Sequence, residues 1–177
     1  MKDDEIIRLT DDLYRCHKTR DPFEIARSGG IHIMLRNDFS KQKGAFAMVS
    51  RNPFIFLNAN LPDETLRIVC AHELGHALMH RDIAARPFLE FELFASADRL
   101  EYEANCFAAS LLMDAKDIIA EAKEGLDAAQ IARMHHSHVD LVLILMHLIN
   151  QQGNRFSLPR PVDQRFMGGI ENHAGSL

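Results

Sequence analysis

The sequence predicts an α+β fold: a small three-stranded antiparallel sheet packed on helices, with residues 72–76, His-Glu-Leu-Gly-His, on the central helix. Three observations predict it. Between residues 31 and 57, three short apolar segments alternate with turn residues, which is strand patterning. From Leu61 to about His80, apolar residues recur broadly enough around a helical period to indicate a mostly buried helix. A second well-patterned helix covers about Ala97 to Met113.

Taken in order, Ile6, Ile7, Leu9 and Leu13 fall at roughly helical spacing and predict a first helix over residues 3–18. Asp21 then reads as the N-cap of a short helix with Pro22 in its first turn, and Gly29-Gly30 ends it. The strands are Ile31–Leu35, Ala45–Val49 and Phe54–Leu57, with turns at Gly44 and at Asn52-Pro53. The long helix carries Leu66, Val69, Cys70, Leu74, Ala77 and Leu78 on its apolar side. Residues 81–95 hold Pro87 and several aromatics, and read as a structured crossing or an irregular helix. The next helix packs through Ala104, Phe107, Ala108, Leu111 and Leu112. Gly125 separates a short helix from a C-terminal pair at about 127–134 and 137–150. One domain is expected over residues 1–153, followed by an extended or disordered tail at 154–177, which is polar and punctuated by Pro159, Pro161 and Gly168-Gly169.

Bulk properties narrow the function classes. The 177 residues suit one core, and 20 basic against 25 acidic residues leave a net charge of −5 with no basic tract, so direct nucleic-acid binding is not expected. Three widely spaced cysteines, Cys16, Cys70 and Cys106, form no disulfide framework and suit a reducing compartment. The acidic start lacks a signal-peptide core. The apolar run Val139–Ile149, broken by Asp140 and His147, is too short for a bilayer. A cytoplasmic protein with no membrane partner is the simplest expectation; nothing in the sequence sets an oligomeric state.

The chemistry concentrates at residues 72–76. On a helix His72 and His76 are one turn apart on one face, a zinc-chelating spacing, and Glu73 lies beside the metal position. A hydrolytic zinc site takes three protein ligands and leaves one position open for water. The third ligand is sought on the second helix, in Glu101-Tyr102-Glu103-Ala104-Asn105. Glu101 and Asn105 share a face, so Glu101 can ligate while Asn105 steadies a ligand, whereas Glu103 points about 160° from Asn105 and is the alternative ligand. His80 lies farther round and farther along than His76, which suits the helix end or a supporting contact better than ligation. His135, His136 and His138 read as solvated or capping residues, and Tyr102 as a packing aromatic; the functional alternative for each is a hydrogen bond to a tetrahedral oxyanion. Gly75 costs roughly 1 kcal/mol of helix stability against alanine, which implies close approach of a sheet edge or substrate. Such a group supports metal-assisted hydrolysis, with Glu73 taking a proton from water and passing it to the leaving amine. An extended peptide would add to a sheet edge, for which Phe54–Asn58 is the candidate.

The chain also resembles the ImmA/IrrE family of small gluzincin-type metallopeptidases, found among prophage, mobile-element and bacterial regulatory proteins. The resemblance runs from about Asp21 to Met113. It is carried by Asp21-Pro22-Phe23-Glu24-Ile25-Ala26, Phe56-Leu57-Asn58, Asn60-Leu61-Pro62, Cys70-Ala71-His72-Glu73-Leu74-Gly75-His76 and Glu101-Tyr102-Glu103-Ala104-Asn105-Cys106-Phe107-Ala108 with Leu111-Leu112-Met113. It implies a zincin-like core, Zn(2+) as cofactor, and Glu101 as third ligand, because the glutamate opening a Glu-x-x-Ala element is the ligand in gluzincins. It further implies a zinc endopeptidase that cleaves one regulatory protein, a co-encoded helix-turn-helix repressor. The alternative is a metal-binding anti-repressor that acts by binding without proteolysis; a third reading is an accessory protein with structural zinc. The proline that often follows Leu-Leu-Met in the family is Asp114 here. Residues 127–149 take the place that a repressor-recognising or helix-turn-helix-like segment has in some relatives, but the second helix of the stretch is apolar and histidine-flanked here, which suits packing or an apolar partner better than DNA.

Overall fold

The computed structural model describes residues 1–81 and 93–158, with residues 93–98 described as helical backbone only. Within them lie helices α1 (Asp3–His17), α2 (Pro22–Ser28), α3 (Asp63–Met79), α4 (Leu93–Leu112), α5 (Ala115–Lys123), α6 (Ala128–Met134) and α7 (Val139–Gln151), and strands β1 (His32–Arg36), β2 (Gly44–Val49) and β3 (Asn52–Asn58). The fold is α+β. Most of the crossing read at 81–95 and the tail from 159 onward lie outside the described residues.

Local chemistry sets the helix ends. The Asp21 carboxylate accepts the Phe23 N–H at 2.9 Å, with Pro22 at the first helical position. Asp127 and Gln130 form a reciprocal capping box on α6. Asp114 accepts the Lys116 N–H at 2.8 Å and so caps α5. It also receives Arg20 Nη2 at 2.8 Å, while Arg20 Nη1 donates to the carbonyls of Ser110 and Leu111 at the end of α4. One cation therefore satisfies the last turn of α4 and ties α2's entry to it.

The sheet departs from expectation. Its order is β1-β3-β2, with β2 antiparallel to β3 but β1 parallel to it, so it is mixed rather than antiparallel. The reason is topological: β1 and β3 are separated by two chain reversals, so they point the same way. Ser50 and Arg51, with φ of +50° and +68°, make the tight turn of the β2–β3 hairpin. That hairpin occupies one edge of β3 and leaves β1 the other. Asn52 and Pro53, read as a turn, begin β3 instead. The crossing from β1 to β2 is held over the end of β3 by Asn58, whose N–H donates to the Lys43 carbonyl at 2.9 Å and whose side-chain amide donates to the Gln42 carbonyl at 3.1 Å.

The sheet packs on α3, and α3 packs on α4. Residues 68–75 of α3 are all buried, whereas Leu78, expected inside, is exposed. α1 and α7 cover α4, and α7 buries Leu141, Val142, Leu145 and Leu148, as its apolar composition requires. Cys70 and Cys106 are free and buried, and burial pushes both thiols up to about 12. Among the described residues no helix is long and apolar enough to cross a membrane.

Candidate metal centre

His72 and His76 sit one turn apart near the C-terminal end of α3, with their Nε2 atoms 3.1 Å apart. Glu101, from α4, places Oε2 3.2 Å from His72 Nε2 and Oε1 3.3 Å from His76 Nε2. A tetrahedral ion about 2.0–2.1 Å from each donor would separate the donors by about 3.3–3.4 Å, so this donor set fits zinc in both chemistry and size. Among the described residues these three form the group of metal-ligating side chains that converges in this way. The Glu101 carboxyl is pushed up by burial, but the hydrogen bonds from His72 and His76 outweigh it and hold the group well below its ordinary value.

The supporting contacts separate the two glutamates that the sequence left as alternatives. Glu103 lies elsewhere on α4, where Oε2 meets His80 Nε2 at 2.9 Å and Oε1 accepts from Arg99 Nε at 2.9 Å and from the Met1 amine. Asn105, 1% exposed, faces the metal group, with its Oδ1 2.9 Å from His72 Nδ1. Removing that oxygen in Asn105→Ala is expected to weaken metal binding by about 10–100-fold, read by chelator competition.

Glu73 is buried against β2, where it accepts the Phe46 backbone N–H. Burial raises its carboxyl pKa, against the pull of His72 and His76. A raised carboxyl beside convergent donors is suited to carrying a proton between water and a leaving group.

The family model for the IrrE N-terminal-like domain, peptidase M78, matches residues 26–142. The chain belongs to this family. The match runs past Met113, where the sequence resemblance ended, through α5 and α6 into α7. The chain is 37% identical over 101 residues to an uncharacterized immunity region protein 2 of Bacillus phage phi105, covering 57% of this chain and 63% of that protein. It is also 29% identical over 123 residues to metallopeptidase ImmA of Bacillus subtilis strain 168, covering 67% of this chain and 70% of that one.

Within this peptidase M78 chain several sequence expectations need correction. A Cβ on Gly75 would meet Phe107 of α4 at 3.1–3.2 Å, so the glycine admits the second helix, not a sheet edge. The sheet-edge role belongs to Gly44, which opens β2 instead of forming a turn. Its Cβ would lie 2.5 Å from Val69 Cγ1 and 3.1 Å from Glu73. Nothing in the sequence marks that position beyond a glycine at a strand start. Gly44→Ala is expected to destabilise the protein by about 1–3 kcal/mol through overpacking, measurable by urea unfolding. β3 is the central strand, so Phe54–Asn58 offers no free edge; β2 is the edge strand on the Glu73 side. His135, His136 and His138, read as solvated or capping residues with an oxyanion contact as the alternative, meet partners outside the metal group: His135 meets Glu121, His136 meets Glu64, and His138 caps α7. Tyr102 donates to Asp3 at 3.3 Å and packs against the core.

Proposed function

We propose that the protein is a zinc-dependent endopeptidase that hydrolyses a peptide bond in a specific regulatory protein, a helix-turn-helix repressor encoded nearby. The observation that carries the reading is the convergence of His72, His76 and Glu101 with the buried Glu73 at their side, its carboxyl pKa raised by burial. His72, His76 and Glu101 would hold the metal, which when bound supplies a Lewis acid that polarises a carbonyl and acidifies water. Glu73 accepts the proton of the attacking water and delivers it to the amide nitrogen as the C–N bond breaks. The substrate main chain adds to the edge of β2 beside Glu73, where strand pairing holds an extended peptide with little demand on its side chains.

The regulatory substrate is supported by the family, by similarity to a phage immunity region protein, and by similarity to a protein named a metallopeptidase. The match covers 63% of that phage protein, so its activity and partners reach this chain only as part of this proposal. Incubating the purified zinc-loaded protein with the co-encoded repressor should yield two fragments defined by mass spectrometry, and chelation should stop the cleavage. Repressor inactivation in cells with an intact repressor chain would instead support action by binding.

A further inference from the structure

We propose that Ala45 and Ala47 of β2, backed by Phe54 and Phe56 of β3, form a subsite for bulky apolar side chains at two substrate positions separated by one residue. The inference rests on the strand addition to β2 proposed above.

The two faces of the sheet differ. Cross-strand partners share a face, and successive residues alternate between faces. Gly44, Phe46, Ile55 and Leu57 lie on the face toward α3, where Ile55 and Leu57 are fully buried and Phe46 packs against the core. On the other face Ala45 stands opposite Phe56 and Ala47 opposite Phe54, while β1 sets Met34 opposite Phe56 and His32 opposite Phe54. Phe54 and Phe56 are half-buried and stand apart from the core. Met34 and Val49, on this same face, are 44% and 46% exposed, so it is open.

Side-chain size across the open face is asymmetric. The Phe54 and Phe56 rings stack with centroids 5.8 Å apart, and His32 stacks on Phe54 at 4.8 Å. Toward β1 the aromatic ridge is therefore matched by large side chains. Toward β2 it meets only the methyl groups of Ala45 and Ala47. With strands about 4.8 Å apart, this leaves an apolar trough over β2. Its outer wall is missing because β2 is an edge strand. A strand added to that edge supplies the wall. Its residues opposite Ala45 and Ala47 point to the open face, and the residue between them, opposite Phe46, points to the Glu73 side. A leucine, methionine or phenylalanine at the two outer positions leans over the alanine methyl toward the ridge and leaves water. An alanine there leaves the trough unfilled. Main-chain pairing accepts almost any sequence, so the trough is what gives this edge a preference.

Two extended peptides test this, identical except for leucine or alanine at two positions separated by one. With the zinc-loaded parent, kcat/KM read by mass spectrometry should favour the leucine peptide about 10–100-fold. Ala47→Phe fills the trough and Phe54→Ala removes its inner wall, so in both the ratio should fall toward one. A ratio taken within one variant cancels any loss of folded protein. Amide shifts of residues 44–49 in 15N-labelled protein report binding separately. A parent that cleaves both peptides equally overturns the subsite and leaves the peptidase reading standing. Cleavage of neither, with tighter binding of the leucine peptide at β2 that Ala47→Phe abolishes, overturns the peptidase reading and supports the subsite. Equal binding, no binding, or a ratio unchanged in both variants overturns the subsite. So does a parent dimer that Ala47→Phe dissociates in sedimentation, which would give the trough to a second copy of the chain.

Discussion

Glu73→Gln is expected to lower repressor cleavage by about 10²–10⁴-fold while zinc stoichiometry and fold stay as in the parent. Glutamine matches the shape of glutamate and can remain beside the Phe46 N–H, but it cannot take a proton from water. None of the three proposed ligand atoms is touched. The variant should also be at least as stable as the parent in metal-free form at neutral pH. Burial raises the Glu73 pKa above its ordinary 4.5, so the stability due to its neutral form is present below pH 4.5 and lost as the pH rises through the raised value. Glutamine keeps that contribution throughout. Cleavage assayed by mass spectrometry, metal analysis and urea unfolding at pH 4 and pH 7 check the three parts. Full repressor cleavage by the variant would sink the general-base role.

The second large effect concerns the ligands. His72→Ala and Glu101→Ala are each expected to lose stoichiometric zinc and all cleavage. In the parent, zinc at a thousandfold excess over its dissociation constant adds about 4 kcal/mol to stability. For a chain of this size each kcal/mol shifts the melting temperature by about 2–4 °C, so chelation should lower the parent's melting temperature well outside error. The two ligand variants should melt at the same temperature with and without chelator. Glu103→Ala provides the contrast: it should still bind one zinc at saturating metal. If Glu103→Ala loses the metal outright and Glu101→Ala keeps it, the ligand assignment is reversed.

Much of this was legible in the chain because it is local. Asp21-Pro22 and Gly125 act on their own neighbours, so helix limits read from them lie within a few residues of those observed. His72 and His76 share a face because one turn of helix makes it so. An apolar residue's periodicity does not reveal where a neighbouring element stops covering it, so Leu78, expected inside, is exposed. The strand pairing failed for a related cause. Hydrophobic alternation marks β1, β2 and β3 as strands, but which edge of β3 each one takes depends on the β2–β3 turn and on the crossing that Asn58 holds.

By itself, the sequence determined the histidine pair, the buried helix that carries it, the companion acidic helix and the family resemblance. Those properties reside in spacing along one chain segment. Only the tertiary structure decided between Glu101 and Glu103 as the glutamate at the histidines, gave His80 to Glu103, set Gly75 against Phe107, and put Gly44 and the edge of β2 beside Glu73. Each of these depends on the distance and rotation between two packed elements. Helical periodicity fixes the angle between residues on one helix, but not which of those angles faces its neighbour.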